Sequence, residues 1–194
     1  MRFPLVILTL LSTILISSLT LALPSPSTPN QLLPRTTETI PLITSLVKIG
    51  LNAIKLDKAL RSFTPNDVDE IRTPSSDLEQ SLDQAESTAK STAKSTENLD
   101  ARSSTVIAGI CTPLKAIFGD MLNVISDKRS DLFAADYGDD MLQTLTNLKV
   151  RSRAVAQALK NITKELDGTY IVFLEDLVDR QFALVIEEYR MNKG

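Results

Sequence analysis

Leu42-Ile43-Thr44-Ser45-Leu46-Val47-Lys48-Ile49-Gly50-Leu51-Asn52-Ala53-Ile54-Lys55-Leu56-Asp57-Lys58-Ala59-Leu60-Arg61-Ser62-Phe63 is the stretch that decides the fold. Leu42, Leu46, Ile49, Ala53, Leu56, Leu60 and Phe63 recur at intervals of 4, 3, 4, 3, 4 and 3, which puts all seven on one stripe of a helix. Ile43, Val47, Leu51 and Ile54 run beside them, so the apolar face is wider than a two-helix seam requires. A helix of this kind, predicted over 38–63, must touch more than one neighbour, or a neighbour and a ligand. Pro41 is placed in its first turn, where a missing N–H is tolerated.

The same period continues along the chain. After the turn Thr64-Pro65-Asn66-Asp67 and a second break at Pro74, Ser76 with Glu79 forms a capping-box pattern that opens a helix over 76–100. Its stripe, Leu78, Leu82, Ala85, Ala89, Thr92, Thr96 and Leu99, is regular but small and semi-polar in the middle. The repeated Ser-Thr-Ala-Lys of 87–94 also fits a flexible Ser/Thr-rich segment or an O-mannosylation target, but the unbroken period favours helix. A third helical region over 103–131 carries Ile107, Ile110, Leu114, Ile117, Met121 and Val124. Pro113 either kinks it or restarts it with Thr112 as N-cap. The fourth, over 139–166, has the stripe Met141, Leu145, Leu148, Ser152, Val155, Leu159, Ile162 and Leu166, with Gly168 placed as a left-handed cap. The fifth, over 169–191, offers Ile171, Leu174, Val178, Phe182, Val185, Ile186 and Tyr189. No strand-like alternation competes. The expected fold is all-α: an antiparallel bundle of about five amphipathic helices occupying 38–191.

Ahead of the bundle, Arg2 precedes a largely apolar run from Phe3 to Leu21, and Thr20-Leu21-Ala22 leads into Leu23-Pro24-Ser25-Pro26. This reads as a secretory signal peptide over 1–22, cleaved after Ala22. Residues 23–37 form a Pro-rich lead-in without periodic pattern, expected to be disordered. The C-terminal Glu187 to Gly194 is charged, so no GPI signal and no integral membrane span after cleavage are expected.

Composition narrows the chemistry. The chain has no histidine, which removes Ser-His-Asp and Cys-His nucleophile activation, His-containing zinc sites and imidazole acid–base chemistry. Asp139-Asp140 and Glu187-Glu188 are neighbours that do not face a common point on a helix, and they read as solvated surface. Six glycines build no phosphate loop, and a formal net charge of −3 with no basic cluster gives no attraction to nucleic acid. The reading is a non-enzyme with no cofactor and no metal. Cys111 stands alone, so an intrachain disulfide is impossible, and it reads as a small buried hydrophobe. Asn161-Ile162-Thr163 is a glycosylation sequon whose Asn161 turns away from the buried stripe.

Four stretches resemble the fungal hydrophobic-surface-binding protein A family, which includes antigenic cell-wall galactomannoproteins. They are the helix Ile43–Phe63; the small-residue helix around Ala85, Ala89 and Ala93; Thr112-Pro113-Leu114 through Ile117, Leu122 and Ile125 to Asp127-Lys128 and Phe133; and Leu142, Leu145 and Leu148 with the tail Phe182-Ala183, Ile186 and Tyr189. The resemblance implies a secreted protein, extracellular or wall-associated, that binds fatty acids, other lipids or hydrophobic solid surfaces without catalysis. Cell-wall polysaccharide is a further implied partner. The lack of a Ser/Thr-rich stalk favours a freely secreted or loosely associated form over covalent wall attachment. Candidate lipid contacts on suitable faces are Val47, Leu51, Ile54, Ile110, Leu114, Ile117, Met121, Leu145 and Leu148; each is equally readable as ordinary core. The alternative function is a structural wall mannoprotein or secreted effector without a small-molecule ligand.

Overall fold

The computed structural model describes residues 36–65, 68–95 and 98–191. The signal-peptide assignment, the lead-in over 23–35, and Asn66, Asp67, Thr96 and Glu97 lie outside them; Thr36 and Thr37, expected in the disordered lead-in, instead begin the first helix. Among the described residues there are six helices: α1 (Thr36–Ser62), α2 (Asp69–Ser95), α3 (Ala101–Asp127), α4 (Arg129–Ala134), α5 (Gly138–Lys160) and α6 (Glu165–Met191). Five are long, and α4 is a six-residue link. The inward stripe of α1 is the one its 4-3 spacing defines, with Leu42, Leu46, Ile49, Ala53, Leu56 and Leu60 all buried.

The long helices reverse direction at each step along the chain, yet most spatial neighbours are parallel. The main packing contacts form a closed ring in the order α1, α2, α5, α6, α3 and back to α1. Two contacts in the ring are antiparallel. Lys48 Nζ donates to Gln84 Oε1 at 3.0 Å and Asn52 Nδ2 to the Asp77 carbonyl at 3.0 Å between α1 and α2. Lys149 meets Asp179 at 3.5 Å and Arg153 meets Glu175 at 3.8 Å between α5 and α6. The other three are parallel. Thr39 Oγ1 donates to Ser103 Oγ at 3.3 Å where α1 and α3 begin. Arg72 pairs with Asp140 at 3.7 Å near the starts of α2 and α5. Ser104 Oγ donates to Asp167 Oδ2 at 2.6 Å at the starts of α3 and α6. The expectation of mostly antiparallel neighbours is corrected on this point: a ring of five must contain at least one parallel contact, and the crossings from α2 to α3 and from α3 to α5, which join helices that are not ring neighbours, raise the number to three.

Two local expectations change for identifiable reasons. α2 begins at Asp69 and carries Pro74 inside it, because starting early buries Ile71 and puts Asp69 and Glu70 in the first turn, where acids suit the helix dipole. Glu79 is accordingly free of a capping role and pairs with Arg151 of α5 at 3.3 Å. α3 runs unbroken through Pro113, so the restart reading fails; the Thr112 hydroxyl meets the Tyr170 phenol at 3.1 Å instead of capping. Asp100 is the true cap, accepting from Ser103 N at 2.8 Å.

α5 ends at Lys160, earlier than its periodicity predicts. Ile162 remains buried beyond the helix, whereas Leu166 is 86 % exposed in α6. Gly168 lies within α6 without a positive φ, so it is no left-handed cap; a Cβ there would come within 3.0 Å of Thr163 Oγ1. The 161–164 link is held by Leu99 N donating to the Ile162 carbonyl at 2.7 Å and by Lys164 N donating to Ser104 Oγ at 2.8 Å. At the other end, α4 closes the bundle, with Phe133 5.6 Å from Tyr189 ring to ring and the Tyr189 hydroxyl donating to the Ile125 carbonyl at 2.9 Å.

Ser104, fully buried, thus joins α3 to two groups at the start of α6. Ser104→Ala leaves the Asp167 carboxylate and the Lys164 N–H short of a partner, and is expected to lower stability by about 1–3 kcal/mol in urea unfolding. A change within a few tenths of a kcal/mol would show that water replaces the hydroxyl.

Candidate functional site: an apolar cavity inside the helical ring

Five helices packed in a ring leave an axial space that side chains must fill. They fill it incompletely. A partly open cavity of about 80 Å³ remains, lined by Leu46 and Ile49 of α1, Leu82 of α2, Cys111, Leu114, Lys115 and Phe118 of α3, Ser152, Val155, Ala156 and Leu159 of α5, and Ile171, Leu174, Glu175 and Val178 of α6. Every long helix contributes. The volume is several times the ~10–15 Å³ that one water needs. It is below the ~300–1,000 Å³ of a typical small-molecule site. A long acyl chain therefore enters only if the walls give.

Leu114 owes its place to Gly50. A Cβ on Gly50 would stand 3.0 Å from Leu114 Cδ2 and 3.5 Å from Ile117 Cδ1, so the glycine lets α3 lie close against α1. Phe118 closes the side towards α4, its ring 6.1 Å from that of the buried Phe182.

Of the nine candidate contacts, Leu114 is in the lining. Ile110, Ile117, Met121, Leu145 and Leu148 are buried in the packed core away from the cavity. Val47 and Ile54 are half-buried, and Leu51 is 41 % exposed on the flank of α1. That placement differs from the expectation because α1 turns its 4-3 stripe inward: Leu46 and Ile49 line the space, and Val47, Leu51 and Ile54 lie on the flank beside them. The breadth of this face has another signature. α1 and α3 are apolar and long enough to cross a membrane by composition, with 50 % and 56 % of the most apolar window buried in the bundle.

The lining has three polar members besides the Cys111 thiol. Burial raises that thiol's pKa to about 12, which keeps it protonated and unreactive as a nucleophile. Ser152 Oγ donates to the Lys149 carbonyl at 3.0 Å. Glu175 is different: 8 % exposed, its Oε1 accepts no hydrogen bond, and its nearest cation is Arg153 at 3.8 Å. Burial, then the neighbouring Asp179 carboxylate, pushes the Glu175 pKa up. Sequence reasoning missed Glu175, although it sits between Ile171 and Val178 at the 4-3 spacing of the inner stripe. Among the described residues no cluster of acidic or cysteine side chains is arranged to hold a metal.

The geometry defines a class, an all-helical ring protein with a partly open apolar cavity. The chain belongs to the hydrophobic surface binding protein A family, whose model matches residues 41–161. No curated protein matches it in sequence. Its fold is similar to that of AFMP4P, crystallised in complex with palmitic acid, at a TM-score of 0.73 and 24 % identity over 78 % of this chain and 99 % of that one. It is also similar to ligand binding domain 1 of the Penicillium marneffei MP1 protein, complexed with arachidonic acids. That match has a TM-score of 0.71 and 11 % identity over 78 % of this chain and 98 % of that one. For domain 2 of the same protein the TM-score is 0.69, at 12 % identity over 82 % and 97 %.

Because the Glu175 shift is upward, the folded protein holds this proton more tightly than the unfolded chain does. The proton's contribution to stability is fully present below the ordinary value of 4.5 and is lost as pH rises through the higher folded value. Glu175→Gln is therefore expected to raise the melting temperature at pH 7 relative to the unsubstituted protein, with the difference shrinking as pH falls to 4.5. An equal difference at both pH values would remove the charge from the account.

Proposed function

We propose that this protein binds single-chain lipids, fatty acids foremost, inside the helical ring, and acts by holding them rather than by transforming them. The observation that carries the reading is the cavity itself, apolar on nearly every side and lined by all five long helices. The fatty acids in the similar folds are consistent with it. Each methylene taken from water contributes ~0.8 kcal/mol, so a long chain offsets a substantial cost of moving the walls apart. Small buried side chains, Ala156 in the lining and Ala85 and Ala89 further along α2, favour such movement, because no bulky residues interlock at those positions. In this reading the protein is exported through its leader and works outside the cell, free or loosely held at the wall. The exposed Asn161, at the C-cap of α5, is a site for an N-glycan.

Native mass spectrometry of the exported protein, mixed with palmitic acid, tests this. A 1:1 complex is expected, on a chain that begins at Leu23 and carries hexose increments; a chain that still starts at Met1 would refute the leader. Leu114→Asp puts a charge into the lining and is expected to abolish the complex while circular dichroism stays helical. Retention of palmitic acid by the folded variant would place the ligand elsewhere.

A second reading, adsorption to hydrophobic surfaces, has its own observation. Leu166, Tyr170, Phe173 and Leu184 of α6 share an outward row, with Phe173 55 % and Leu184 67 % exposed. The doubly substituted Phe173→Asp, Leu184→Asp protein is expected to lose binding to hydrophobic beads at least threefold while keeping its 1:1 lipid complex. Unchanged bead binding would exclude this row as the adsorbing face.

A further inference from the structure

The cavity is not uniformly apolar. Its charged and hydroxyl-bearing lining residues are Lys115, Ser152 and Glu175, one from each of α3, α5 and α6. The pairings Arg153 with Glu175 and Lys149 with Asp179 set the register of α5 on α6. The pairings Thr112 with Tyr170 and Phe118 with Phe182 set that of α3 on α6. Both registers place the three residues at one level of the ring. The space therefore has a single polar band between apolar walls.

Within that band Glu175 is the group with unmet hydrogen bonding. Its Oε1 is shut off from solvent, accepts no hydrogen bond, and lies 3.8 Å from the nearest guanidinium nitrogen. Arg153 is engaged more closely by Asp179, at 3.0 Å, and Lys149 also turns to Asp179. The charged groups that act on Glu175 are thus Lys149 and Arg153 from α5 and Asp176 and Asp179 from α6, and Lys115 of α3 is the further charged residue of the lining. α1 and α2 bring only Leu46, Ile49 and Leu82 to the lining. A buried acceptor without a donor is costly, and a ligand that supplies the donor recovers that cost.

Resting on the lipid-binding reading above, we infer that Glu175 is the headgroup site of the cavity and selects single-chain lipids whose polar end donates an O–H hydrogen bond. Two sources share this chemistry. A fatty alcohol donates its hydroxyl to the carboxylate. A fatty acid does so when protonated, so that one proton lies between two carboxyl groups and a single negative charge remains for Lys115 and Arg153 to balance. The two sources differ with pH. The alcohol needs ionised Glu175 only as an acceptor and keeps its affinity as pH rises, whereas the acid then faces like charge. The upward displacement of the Glu175 pKa agrees with this, because it favours holding a proton in the band at mildly acidic pH.

The test compares 1-dodecanol, dodecanoic acid and methyl dodecanoate, equal in chain length, by displacement of a fluorescent fatty-acid probe at pH 5.5 and 8.5. The alcohol is expected to bind at least tenfold more tightly than the ester, which has no donor, at both pH values. The acid is expected to match the alcohol at pH 5.5 and to weaken at least tenfold at pH 8.5. In Glu175→Gln, whose amide donates to a carboxylate, the loss at pH 8.5 is expected to shrink below threefold. Equal binding of alcohol and ester would overturn the headgroup site and leave the cavity reading standing. An acid that binds better at pH 8.5 and is lost in Lys115→Met would also overturn it, making lysine the anchor. If none of the three displaces the probe, both readings fall.

Discussion

An odd number of helices closed into a ring cannot all run antiparallel to their neighbours, and much of this structure follows from that constraint. Parity requires one parallel contact; three of the five are parallel because the chain twice steps across the ring, and none of the three joins helices consecutive in the chain. The chain crosses from α2 to α3 through 96–100 and from α3 to α5 through α4, each time reaching a helix that is not its ring neighbour. These crossings need anchors. Asp100, Leu99 and Ser104 supply them at one end, and the Phe133–Tyr189 contact supplies them at the other. A ring of five also has an axis that no helix occupies, so the core is a layer of inward side chains around a line. Where those side chains are short or turned aside, space is left.

The cavity is the place where that happens, and under the proposed lipid binding it has to widen. A void of about 80 Å³ forfeits dispersion contacts without holding a ligand of any size. Its walls are mostly aliphatic, and beside them the small residues Ala85, Ala89 and Gly50 are buried, with Leu114 seated against Gly50. Moving such walls costs less than unpacking interdigitated aromatics. The aromatic pairs, Phe118 with Phe182 and Phe133 with Tyr189, stand on the α4 side, and Phe118 bounds the cavity there.

The helical stripes were legible in the sequence because each long helix buries one face against two neighbours, and burial imposes the 4-3 spacing. The cavity was legible only as a surplus of apolar residues. That surplus pointed to Val47, Leu51 and Ile54, since a linear pattern does not say which of two adjacent rows turns inward. Pro74 and Pro113 looked like breaks, but tertiary burial of Ile71 and of the Ile110–Ile117 face outweighs a lost hydrogen bond. Leu166 fitted the α5 stripe by period alone, and the turn at 161–164 took it out of register. Glu175 was hidden by its type: an acid among Asp176 and Asp179 reads as surface, although its spacing from Ile171 and Val178 is that of a core position.

The most direct test is where an acyl chain lies. Methyl-labelled Leu, Ile and Val spectra of otherwise deuterated protein, recorded with a protonated fatty acid, report this residue by residue through intermolecular nuclear Overhauser effects. Contacts are expected at Leu46, Ile49, Leu82, Leu114 and Leu159, and none at Leu51 or Leu184. Contacts confined to Leu184 and its neighbours on the outer row of α6 would contradict the cavity reading and place the lipid on the surface.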